Sequence, residues 1–141
     1  MATKTDFTED EWKALQKGAT GAGMLVSVSD RDFTDSFGEA SALAKALAAQ
    51  HAHGASELVR EIADIHGTGF GLTASPQEVQ TETLAAIETA IAALGSKAPD
   101  EIENYRQLVV GVAEAVAEAK GGVSEAETAA LAQVKDALGA T

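Results

Sequence analysis

Four times along this chain a serine or threonine is followed three residues later by glutamate, just ahead of an apolar stripe. The four pairs are Thr8–Glu11, Ser36–Glu39, Ser75–Glu78 and Ser124–Glu127. This spacing is the capping box: the hydroxyl accepts from one orphan backbone N–H at a helix start, and the glutamate reaches back to another. Pro76 follows Ser75 directly, at the first helical position, where its missing N–H costs nothing. Pro99, the only other proline, opens Pro99-Asp100-Glu101 and suggests a fifth start. A chain punctuated in this way is constrained to be helical.

Apolar spacing supplies the helix bodies. Leu43, Ala46 and Leu47 line one short helix, and Leu58, Val59, Ile62 and Ile65 the next. Val79, Ala86, Ile87, Ala90, Ile91 and Leu94 make a long stripe from about 76 to 94. Ile102, Tyr105, Val109, Val112, Ala113 and Val116 make another, ending near Lys120, and Leu131, Val134 and Leu138 finish the chain. Gly54, Gly67, Gly95 and Gly121 fall where helix C-caps are expected. With the helix that follows Thr8, the count is six. That first helix carries Gly18, Gly21 and Gly23, each costing about 1 kcal/mol against alanine in a helix interior. Because the stripe resumes at Met24, Leu25 and Val28, we expect an unbroken helix on which other helices pack closely.

Composition agrees with this reading and narrows the function. The length of 141 residues suits one domain, 1–141, able to bury roughly 68–70% of the surface its unfolded chain exposes. Hydrophobic residues make up 45% but aromatics only 4%, so the core is built from small and medium aliphatics. Without cysteine, disulfides, thiolate metal sites and cysteine nucleophiles are all excluded. Lys and Arg number 10 against 22 Asp and Glu, a net charge of −12, which disfavours nucleic acid as a partner. No apolar run approaches the roughly 20 residues of a membrane span, and the first residues lack the apolar stretch of a signal peptide. No membrane partner and a cytoplasmic location are the expectations.

An internal echo runs through the chain. A shift of 88 residues superposes Ser36 and Glu39 on Ser124 and Glu127, and Met24, Val28 and Leu43 on Val112, Val116 and Leu131. Each copy is an apolar helix, a polar turn and a capped helix. The expected fold is therefore an all-α compact bundle of about six helices containing two similar helical hairpins.

The stretch Val110-Gly-Val-Ala-Glu-Ala-Val-Ala-Glu-Ala-Lys-Gly-Gly-Val-Ser-Glu-Ala-Glu127 resembles the signature of TerB-like tellurite-resistance proteins. That signature joins an alanine-rich helix to an Asp-Gly-x-Val-Ser-x-x-Glu turn and a helix closing in Leu-Gly, here Leu138-Gly139. Asp30-Arg-Asp-Phe-Thr-Asp-Ser-Phe-Gly-Glu39 is similar to a looser copy of the same turn. The two copies cover roughly half the chain. The resemblance implies a helical stress-response protein that binds divalent cations through acidic turn residues. Lys120 stands where the second turn expects aspartate, leaving Glu127 of that acidic pair. In the first turn either Asp32 pairs with Glu39, or Asp30 leads with Phe33-Thr34 in the Val-Ser place.

Asp30, Asp32, Asp35, Glu39 and Glu127 are thus the candidate metal ligands, their carboxylates suited to a hard ion such as Ca²⁺. The competing reading makes the same carboxylates helix caps favoured by the helix dipole, on a plain interaction scaffold. His51, His53 and His66, even with Glu57 or Asp64, lack the i, i+4 spacing of a two-histidine site. Gly67-Thr-Gly-Phe-Gly71 follows a helix rather than a strand and lacks a phosphate-binding lysine, so it reads as a connector. Trp12 and Tyr105 lie on helix stripes and read as packing. No catalytic residue and no organic cofactor can be named, and a protein partner completes the expected binding role.

If Ser124 caps the last helix, Ser124→Ala should cost about 0.5–2 kcal/mol. Hydrogen exchange should then accelerate over roughly 125–138 before global unfolding. Unchanged protection there would move the helix start and take the 88-residue register with it.

Overall fold

A computed structural model describes residues 3–29, 36–65, 75–118 and 125–139. Among them are six α-helices and no strand: α1 Glu9–Ser29, α2 Ser36–His53, α3 Glu57–Ile62, α4 Pro76–Lys97, α5 Ile102–Glu118 and α6 Glu125–Ala137. Single 3₁₀ turns at Lys4–Asp6 and Pro99–Glu101 precede α1 and α5.

The helix starts follow the cap chemistry. At α1 the box is reciprocal: Glu11 N–H donates to Thr8 Oγ1 at 3.1 Å, and Thr8 N–H donates to Glu11 Oε1 at 2.8 Å. At α4 Glu78 N–H donates to Ser75 Oγ at 3.1 Å, with Pro76 in the first turn. The caps proposed at Ser36 and Ser124 lie outside what is described, although α2 opens at Ser36 and α6 at Glu125. Two boundaries differ from expectation. The helix at 36–53 is five turns rather than short, because alanines with little amphipathic signal extend it past the Leu43–Leu47 stripe. Gly95 does not end α4, which continues to Lys97 and is capped at Ala98, just before Pro99; nothing crowds Gly95. At the chain's end Gly139 takes the cap role, with φ 72°, directly after the buried Leu138.

Helix α1 is continuous and central, touching all five other helices. Its glycines are the reason. A Cβ on Gly21 would meet the side chain of Thr83 in α4, and one on Gly18 would strike the Tyr105 hydroxyl of α5 and approach Ile87 of α4 at 3.3 Å. A Cβ on Gly23 would lie 2.7 Å from Leu43 of α2 and 3.3 Å from Val112 and Val116 of α5. Three neighbours thus sit in the space that side chains on α1 would fill. Leu15, Ile62, Ile87, Leu94, Leu108, Val109 and Val134 are fully buried around this contact. Each such side chain contributes about 1.5–3 kcal/mol by leaving water.

Two buried polar groups sit at the glycines. Tyr105 Oη donates to the Leu15 carbonyl at 2.8 Å, so its hydroxyl is satisfied in the core. Thr83 Oγ1 has no partner among the described residues, a burial that typically costs about 1–3 kcal/mol.

The glycines therefore predict opposite outcomes for one chemical change. Gly21→Ala should destabilise, since overpacking costs about 1–3 kcal/mol against a helix-propensity gain of about 1 kcal/mol. Gly95→Ala, with open space around it, should stabilise by up to about 1 kcal/mol. Urea midpoints report both, and combining Gly21→Ala with Thr83→Ala should recover part of the loss. Equal gains at both glycines would overturn the close-packing account.

Candidate functional site

Helix direction decides which segments meet. Helices α1 and α4 are antiparallel, since Glu11 pairs with Lys97, Gly18 faces Ile87 and Lys17 Nζ reaches Glu82 at 2.8 Å. Helices α1 and α5 are parallel, with Leu15 at Tyr105 and Gly23 at Val112 and Val116. Helix α6 returns along α5, placing Lys135 3.8 Å from Glu114 and the Leu138 carbonyl 2.7 Å from Arg106 Nε. The C-terminal ends of α1 and α5 and the N-terminal ends of α2, α4 and α6 accordingly share one end of the bundle.

That end flanks both acidic turns of the sequence analysis. Asp30, Asp32 and Asp35 fall between the described Ser29 and Ser36 and lie outside the described residues. Glu39 falls in α2 and Glu127 in α6, with their carboxylates likewise outside what is described. Helix dipoles at this end offer both signs: N-termini favour carboxylates, and the C-termini of α1 and α5 favour cations. The ligands expected from the sequence are all carboxylates, a donor type that suits a hard divalent ion.

The opposite end is cross-braced by side chains. Ser56 Oγ accepts from Val59 N–H as the α3 cap and donates to Glu101 Oε2 at 2.6 Å, where Asn104 Nδ2 also donates at 3.3 Å. A carboxylate there ties α3 to the start of α5. Gln16 Nε2 donates to the Ile62 and Asp64 carbonyls, fixing α3 to α1. The N-terminal strap closes the same end: Phe7 and Trp12 pack with centroids 6.1 Å apart, Lys4 Nζ sits over Trp12 and Lys97 Nζ over Phe7. Lys97 is also ion-paired with Glu11.

The other candidates resolve as follows. His51 and His53 are exposed in the last turn of α2, and His51 Nδ1 lies 2.9 Å from the Arg60 carbonyl. Among the described residues no group of three or more His, Asp or Glu side chains can hold a metal ion. His66 and Gly67–Gly71 lie outside the described residues. Trp12 and Tyr105 are core residues. A groove of about 400 Å³ runs along α5 beside Lys135, lined by Glu103, Arg106, Val110, Gly111 and Glu114. Its cations are engaged: Arg106 Nη1 is 3.2 Å from Glu103, and Lys135 faces Glu114.

Among the described residues two titrating groups are displaced. Burial pushes the Tyr105 phenol far above its ordinary value, so it remains a hydrogen-bond donor at any physiological pH. The Lys97 ammonium, followed by the Thr8 N–H, holds the Glu11 carboxyl below the usual carboxylate range.

Sequence reasoning missed Ser56 as a cap because Val59, not glutamate, stands three residues on. It also missed the Glu11–Lys97 tie, since no local spacing signals a pair 86 positions apart. Among the described residues no helix is long and apolar enough to cross a membrane. Comparison with protein-family models, curated proteins and solved structures found no match to this chain.

The Glu11 shift carries a pH dependence. Its folded value is below its unfolded one, so its stabilisation is present above the unfolded value of about 4.3 and is lost as pH falls through the folded one. Glu11→Gln should weaken the protein at neutral pH, and the gap to wild type should narrow as pH falls below the unfolded value. A gap that persists undiminished at pH 3, followed by urea unfolding, would show that charge is not its origin.

Proposed function

We propose that this chain is a non-catalytic, TerB-like stress-response module of the kind associated with tellurite resistance. It acts by binding at the bundle end where α1 and α5 finish. A divalent cation such as Ca²⁺ is held by Asp30, Asp32, Asp35 and Glu39 of the first turn, joined by Glu127 of the second copy. A protein partner reads the loaded end, and the module works in the cytoplasm.

The observation that carries this reading is the parallel pairing of α1 with α5. It brings the helix ends flanking both acidic turns to the same end of the bundle, although the turns are 88 residues apart in sequence. Antiparallel pairing would have separated them by the length of a helix. Support also comes from the all-helical fold, and from Glu11, a capping-box carboxylate whose Oε1 accepts from Thr8 N–H and faces the Lys97 ammonium at once. Closing a cap therefore leaves a glutamate able to serve a cation.

The test is calorimetric titration with Ca²⁺, paired with melting curves in Ca²⁺ and in chelator. At 100 times its dissociation constant a ligand stabilises by about 2.7 kcal/mol, which for a domain of this size raises Tm by about 5–10 °C. Asp32→Asn and Glu39→Gln should each reduce the heat and the shift. Coincident melting curves and a flat titration would instead favour a plain helical scaffold whose acidic turns serve only as caps.

A further inference from the structure

We draw no further inference here: the strongest candidate, the open groove along the outer face of α5 lined by Glu103, Arg106, Val110, Gly111 and Glu114 beside Lys135 of α6, has its cations engaged by its own carboxylates, and nothing in the structure shows what covers it.

Discussion

Close approach of helices to α1 at Gly18, Gly21 and Gly23 is the contact on which the rest of the packing rests. A core with few aromatics has limited side-chain volume to fill the space between helix axes, so the axes themselves must come closer. Glycine allows this at a cost of about 1 kcal/mol per site in helix propensity. The return is burial on three sides of one helix, by α4 at Gly21, by α4 and α5 at Gly18 and by α2 and α5 at Gly23. Tyr105 shows how specific the arrangement is. Its hydroxyl reaches the Leu15 carbonyl only because residue 18 has no side chain in the way, so one missing Cβ permits both a contact and a buried hydrogen bond.

Central placement of α1 also sets the polarity of the bundle. With α5 parallel to it and α4 and α6 running back, one end collects the 3₁₀ turns, α3 and the aromatic strap. Glu101, Ser56, Gln16, Glu11 and Lys97 cross between elements there. The individual ties are partly exposed, and each contributes little alone. Their combined effect is to join the starts of α1 and α5 to α3 and the end of α4. The other end gathers the C-terminal ends of α1 and α5 and the N-terminal ends of α2, α4 and α6.

Much of the fold was legible because it is written in local spacing. Capping boxes marked the starts of α1 and α4, and the stripes named most of the buried residues, including Tyr105, Ile87 and Val112. The three glycines announced close packing, since a stripe that resumes after them makes a broken helix wasteful. Partners were not legible: nothing near Gly21 says that Thr83 will face it, nor that α1 and α5 run parallel. Gly95 was misread because a glycine near a helix end looks the same whether the helix stops there or passes through. Of the candidate site, the carboxylates and their repeat were readable from the chain, while which helix ends share one end of the bundle depends on helix directions that no spacing encodes.

The remaining question is whether acidic residues at helix starts have a role beyond capping, and Glu11 bears on it. Capping and cation binding are commonly set against each other as explanations of such residues. An ionised carboxylate has about four lone-pair sites, and a capping box uses one of them. In Glu11 a single oxygen accepts from the Thr8 N–H and faces the Lys97 ammonium, and both lower the carboxyl's proton affinity. A capping carboxylate keeps further lone pairs, so capping does not by itself exclude a metal ion. Further carboxylates accompany the Thr8 box as well, at Asp6, Glu9 and Asp10. The first turn adds Asp30, Asp32 and Asp35 within the ten residues ending at Glu39. On the reading proposed above, a bound cation would offset the mutual repulsion of these carboxylates in a chain of net charge −12.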